Sequence, residues 1–377
     1  MTATHHRSPS SSGSAGAAAG AAAGAGPAGP AAGSGPGAGP PTRPRLPGGL
    51  RTVLLSDRLL TVFAWAAVVA NGLIAVTGAT VRVTGSGLGC EVWPECQPGT
   101  LTPEYRTGMA GVHQAIEFAN RTLTGVVLIA SLATFLLLWS RRPRRAAVLR
   151  LAVVGPIGVL FQAVWGGVVV TQKLIWWTVA PHMLVSLVLV SFALATATRV
   201  GEPDVPARPV VPRPLQVLAQ ATLAVLTALC VAGTLVTAAG PHAGDVDTPR
   251  LGLPVRVLAQ LHADLMFCYL GMLIALVVGF LAVGAPRRLR NRGWLLVAVT
   301  ASQGLLGLIQ YAIGVPEALV VAHVLGAVLV VTAATWMVLG TRDRGIAPES
   351  SAVGEDRLRS SDGKSDRRQQ SDHRLRG

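Results

Sequence analysis

Eight apolar stretches, each long enough to cross about 30 Å of hydrocarbon as a helix, leave this chain little choice of fold. Their approximate bounds are 59–81, 111–139, 148–171, 177–199, 216–239, 255–283, 292–314 and 317–340. Barrel strands are excluded, because the runs are too long and lack period-2 alternation. Charged residues are only 13% of the chain against 51% hydrophobic, whereas soluble domains average about 25% charged. The apolar surplus must face lipid. The net charge of +14 raises nucleic-acid binding as a rival. Its cations, however, stand in short clusters between apolar runs rather than on a basic face interleaved with aromatics. Four cysteines are too few for a disulfide-built scaffold.

The clusters orient the bundle. Arg43, Arg45, Arg51 and Arg58 precede the first span. Arg141, Arg142, Arg144, Arg145 and Arg150 fill the second connection, Arg199, Arg208 and Arg213 the fourth, and Arg287, Arg288, Arg290 and Arg292 the sixth. Arg342 and Arg344 follow the last span. The odd connections carry little positive charge, so the even connections and both termini are expected on the cytoplasmic side of the cell membrane. Residues 1–55, rich in Ala, Gly and Pro, are expected to be disordered, as is the charged tail 341–377. The first basic residues are not followed by the apolar core of a signal peptide.

The spans repeat. Gln162 precedes Gly166 by four residues and His182 by twenty, and Gln303 stands in the same relation to Gly307 and His323. This spacing predicts a tandem duplication of a four-helix bundle, with halves at 56–200 and 201–340. Counting back from the two glutamines places Asn120, not His113, opposite His262.

Of eight histidines, His113, His182, His262 and His323 fall within spans near their outer ends, and His242 lies in an outer loop, expected to be solvated. An ionisable group in hydrocarbon needs a partner and marks a functional site. A single such histidine is satisfied by a helix–helix hydrogen bond. The duplicated His182 and His323, with His262 as partner, point instead to ligation. Inward histidines on facing helices can supply both axial ligands of a haem. Zinc fits less well, since no carboxylate or thiolate stands at matching depth.

Several motifs resemble the haem A synthase family. They are Gly85-Ser86-Gly87-Leu88-Gly89-Cys90 with Trp93-Pro94 and Cys96 in the first outer loop, and Glu117-Phe118-Ala119-Asn120-Arg121 in the second span. Ala180-Pro181-His182, Gln260-Leu261-His262 and Ala322-His323 complete the set, and the resemblance covers roughly residues 56–340. It implies oxidation of a ring methyl of haem O to the formyl group of haem A, for cytochrome oxidase biogenesis. It also implies a haem B cofactor held by His262 and His323, with His182 facing the substrate haem in the N-terminal half. The implied partners are the farnesyltransferase that makes haem O and oxidase assembly factors. The family carries a cysteine pair like Cys90 and Cys96, as a disulfide that is either redox-active or a structural staple.

This chain departs from the family at Asn120, where the family has a histidine ligand. Either His182 holds the substrate iron alone, or His113, about 10 Å further out along the helix, substitutes. Glu117 has two readings: a buried carboxylate that moves protons or stabilises positive charge at the oxidised methyl, or a structural pair with Arg121. Arg121 in turn suits either that pair or a haem propionate. Cys230 and Cys268 are expected to pack as small apolar residues. The main rival to the enzyme is a dihaem transmembrane electron carrier of the quinol-linked cytochrome b type; a transporter is a third.

Overall fold

Residues 56–90, 92–103, 108–141 and 145–345 are described by the computed structural model of the chain. The disordered stretches expected at 1–55 and beyond 345 lie outside the described residues. Among the described residues the fold is all-helical apart from one two-residue strand pair. The helices are α1 Asp57–Val83, α2 Gly108–Ser140, α3 Ala146–Ala152, α4 Val154–Thr171 and α5 Trp176–Val200. They continue with α6 Arg213–Ala239, α7 Val255–Ala282, α8 Arg287–Ala312 and α9 Glu317–Leu339. Taking α3 and α4 together, eight spans are long and apolar enough to cross a membrane.

Local chemistry explains the boundaries. Ser56 caps α1, its Oγ accepting the N–H of Leu59 at 3.3 Å, and Asp57 meets the positive helix end. Pro212, Pro254, Pro286 and Pro316 stand at the N-caps of α6 to α9, where a missing N–H removes no helical bond. The third span is not continuous. It breaks at Val153, because Pro156 has no N–H to offer Ala152 and its ring crowds that turn. The seventh starts earlier than expected: Arg287, Arg288 and Arg290 form the first turn of α8 instead of a connection.

Within the first four spans α1 packs on α2 and α5, and α4 on the same two. Within the last four, α6 packs on α7 and α9, and α8 on those two. The two sets meet where α1 lies on α9, α5 on α6 and α5 on α9, and both belong to one compact unit. Leu187 and Val190 of α5, Leu226 and Leu229 of α6, Tyr269 and Leu273 of α7 and Val328 and Val331 of α9 fill the shared core. Thr335 Oγ1 donates to Ser191 Oγ across it at 3.0 Å. The outward faces are apolar as well: Val69, Ile129 and Leu308 are each 66% exposed. Such surface is stable only against lipid. The protein is a multi-pass membrane protein.

Most of the arginines among the described residues gather at one end. Arg145 donates to the carbonyls of Val200, Arg199 and Glu202, and Arg141 pairs with Asp57. Residues 341–345, expected in the disordered tail, are ordered here. Arg342–Asp343 forms a strand antiparallel to Arg208–Pro209, and Arg344 pairs with Glu202 at 3.3 Å. At the other end the loop between α6 and α7 ties the remaining loops together. Gly244 O accepts from Gly87 N at 3.1 Å, Thr248 Oγ1 donates to Lys173 O at 3.3 Å, and Arg82 Nη2 donates to Thr237 O at 3.2 Å. His242 belongs to this network rather than to solvent. Its Nε2 lies 2.9 Å from the carbonyl of Val315, which holds an unfavourable φ of 61° in the α8–α9 turn.

Candidate functional site

Two histidine rings face one another between α7 and α9: the centres of His262 and His323 are 6.3 Å apart, with planes inclined at 57°. Close helix approach makes this possible. A Cβ on Gly233 of α6 would lie 3.0 Å from His262 Cε1, and one on Gly307 of α8 would lie 3.0 Å from His323 Cε1. His262 Nδ1 is 3.1 Å from the carbonyl of Leu229. A carbonyl only accepts, so Nδ1 carries the proton and Nε2 keeps its lone pair for a metal. Two imidazoles on opposite sides of one metal, each bonded at about 2 Å, hold their ring centres roughly 6 Å apart. The ring-centre separation of 6.3 Å is compatible with that spacing. Among the described residues no three of His, Cys, Asp and Glu converge to hold a metal ion themselves. An iron here would need its equatorial ligands from a porphyrin.

The corresponding place in the first four spans is built differently. His182 stands on α5 against Gly166 of α4, where an added Cβ would lie 3.6 Å from His182 Cε1. Gln162 does not touch the imidazole; its Nε2 donates to the backbone carbonyl of His182 at 2.8 Å, as Gln303 does to that of His323 at 2.8 Å. The spaced glutamines therefore lock adjacent helices together and are not ligands. Asn120 accepts at Oδ1 from the hydroxyl of Thr77 on α1 at 2.7 Å. His113 lies further out, where the first outer loop crosses α2. A Cβ on Gly89 would come 2.7 Å from the His113 carbonyl carbon.

Glu117 and Arg121 join that loop to α2. Glu117 is only 4% exposed. Its Oε2 accepts the N–H of Cys90 at 2.8 Å and its Oε1 accepts from Arg121 Nε at 3.0 Å. Arg121 Nη1 donates to the carbonyls of Val92 and Glu95, both at 3.0 Å, and Nη2 donates to Cys90 O and Glu117. These contacts engage all five guanidinium donors, leaving none for the haem propionate expected as one partner. Cys90 and Cys96 form the expected disulfide, and both are 0% exposed. Cys230 is partly buried and Cys268 exposed, both as free thiols.

Sequence reasoning missed Thr77, Arg82 and Gln114. Gln114 is 2% exposed with its Nε2 unpaired among the described residues. A polar residue in an apolar span was the available signal for each.

A family model described as cytochrome oxidase assembly protein matches residues 61–247. That range holds the disulfide, Glu117, Asn120 and His182, while His262 and His323 lie beyond it. The chain is similar to a haem A synthase of Lysinibacillus sphaericus (strain C3-41), 34% identical over 153 residues, which are 39% of this chain and 47% of that protein. It is 33% identical over 132 residues to a haem A synthase of Bacillus pumilus (strain SAFR-032), 34% of this chain and 41% of the relative. It is also 39% identical over 84 residues to a protohaem IX farnesyltransferase of Thermus thermophilus, 22% of this chain and 13% of the relative. The matches span less than half the length of each of these relatives. With the motifs, the eight spans and these matches taken together, the chain is similar to the haem A synthases, and its residues 61–247 match the family of cytochrome oxidase assembly proteins.

Proposed function

We propose that this protein is a haem A synthase that oxidises a ring methyl of haem O to the formyl group of haem A. The facing imidazoles of His262 and His323, 6.3 Å apart, carry this reading beside the family resemblance. They are the residues that would hold haem B, which when bound supplies one-electron redox chemistry. His182 faces the substrate haem O in the other half. Asn120 leaves that side without a second imidazole, and His113 is the rival ligand. Glu117, one turn outward from Asn120 on the same helix face, serves as the carboxylate that takes up a proton or balances positive charge as the methyl is oxidised. Its hydrogen bonds to Cys90 and Arg121 hold it in one orientation, and Arg121 borders the same pocket.

The two sites descend from a duplicated four-helix unit. Ile74-Ala75-Val76-Thr77-Gly78 aligns with Leu229-Cys230-Val231-Ala232-Gly233, so the Leu229 carbonyl that orients His262 corresponds to that of Ile74. Thr77, in place of Ala232, supplies the hydroxyl that meets Asn120. The exchange of helix contacts at the interface, α1 with α9 against α6 with α5, supports the same origin. The protein resides in the cell membrane with both termini and the arginine-rich end cytoplasmic. Its partners are the farnesyltransferase that makes haem O and the oxidase assembly factors.

A dihaem electron carrier is the second reading, favoured by the ring pair alone and opposed by Asn120, since a carrier needs both irons fully ligated. Expression beside a haem O producer, in a host that makes no haem A, separates the two by chromatography of extracted haems. Haem A is the expected product. Accumulation of haem O beside a full complement of haem B would establish the carrier.

A further inference from the structure

We infer that a cavity at the arginine-rich end binds a phosphate group, and that its usual bearer is an anionic phospholipid. The cavity measures about 240 Å³ and lies where the end of α5, the start of α6, the end of α9 and the strand Arg342–Asp343 converge. Pockets for drug-sized ligands run to about 300–1,000 Å³, so this one suits a compact polar group. Arg199, Arg342 and Arg344 line it against a single carboxylate, Glu202. That carboxylate is already engaged, with Arg199 Nη1 at 2.9 Å and Arg344 Nε at 3.3 Å. Asp204 lies outside the lining, 3.7 Å from Arg199 and 4.0 Å from Arg145. Positive charge therefore remains in surplus.

Two lining groups have donors to spare. Arg342 is exposed and, like Gln220, makes no side-chain hydrogen bond among the described residues. Both sit beside the first two turns of α6, whose N-terminal end adds a partial positive charge. A guanidinium fork matches phosphate oxygens, and basic pockets between transmembrane helices are a recurring headgroup site. The bearer follows from the walls. Val338 and Leu339 line the cavity, and Val217 of α6 is 55% exposed on the adjoining outer surface. A phosphate seated among the arginines can thus continue into an acyl chain lying on apolar helix faces. This arrangement does not depend on the haem chemistry.

Native mass spectrometry of the full-length, delipidated protein tests the site, with phosphatidylglycerol, phosphatidylcholine and inorganic phosphate as probes. Phosphatidylglycerol is expected to bind at least about tenfold more tightly than phosphatidylcholine, whose phosphate carries the same charge but whose choline cation is repelled by the surplus arginines. Arg342→Gln should lose that preference. So should Gln220→Glu, which adds a negative charge without removing any observed contact. Arg287→Gln/Arg288→Gln, at exposed positions on the same membrane face outside the cavity, should keep it. Competition by millimolar phosphate assigns recognition to the phosphate alone, and a preference that phosphate does not displace assigns it to the lipid-borne group. Equal binding of the two lipids, or equal loss in the Arg287/Arg288 variant, overturns the proposal.

Discussion

The carboxylate of Glu117 accepts the backbone N–H of Cys90 at 2.8 Å, so the acid on α2 and the disulfide loop move as one piece. Arg121 completes the joint by donating to Glu117 and to carbonyls at Cys90, Val92 and Glu95. The structural and chemical readings of Glu117 are therefore not exclusive. The contacts that hold the loop also fix where the carboxylate points, and removing the side chain disturbs both. Glu117→Ala leaves Arg121 partly buried without its counter-charge, a loss worth about 3–5 kcal/mol.

Glu117→Gln is the sharper test, because the amide oxygen can still accept from Cys90 while the charge is gone. This variant should retain haem B in the other half and lose at least about tenfold in haem A formation, as expected for removal of an acid–base group. Optical spectra report the retained haem, and chromatography the product. Undiminished haem A would confine Glu117 to holding the loop.

Both sulfurs of the Cys90–Cys96 bridge are fully buried, where a soluble reductant or electron carrier has no access. The bridge should behave as a staple. Cys90→Ser/Cys96→Ser should lower stability by about 2 kcal/mol, the low end for a short closed loop, while haem A still forms at reduced temperature. Loss of product with an unchanged thermal midpoint would instead place the disulfide in the electron path.

His262→Ala and His323→Ala should each abolish the low-spin haem B spectrum, since one imidazole then faces an iron lacking its second axial ligand. Restoration by added imidazole would show that the lesion is the missing ligand. A low-spin spectrum that persists in either purified variant would rule out the assignment.

The spans were legible because about twenty apolar residues leave a helix as the only viable crossing. Their ends were less so: Arg287 to Arg290 look like a loop but continue α8 behind Pro286, as helices can extend past the apolar window. The Gln162–His182 interval recurs as Gln303–His323, and that repeat in the sequence singled out His323 as a candidate. The Arg121 clamp was not legible. Its acceptors beyond Glu117 are backbone carbonyls, which every residue possesses and no sequence pattern marks. His242 was misplaced for the same reason, its partner being the carbonyl of Val315. Tail residues 341–345 were misread because a two-residue strand carries no periodic signal.

Asn120 provides the decisive experiment on the substrate side. Its side chain is held by Thr77, whose position on α1 aligns with that of Ala232 on α6, one turn past the Leu229 carbonyl that orients His262. An imidazole at position 120 would then find the Ile74 carbonyl where His262 finds that of Leu229. Asn120→His, best combined with Thr77→Ala to clear the hydroxyl, should give the N-terminal haem two axial imidazoles and a second low-spin signal when haem O is supplied. An iron with both axial positions filled binds oxygen poorly, so haem A formation should fall as that signal rises. His113→Ala should change neither, because His113 stands two turns further out beneath Gly89 of the disulfide loop. Were His113 the ligand, its removal would abolish binding of the substrate haem and Asn120→His would add no signal. Haem content and spectra of the two variants, measured side by side, choose between these registers.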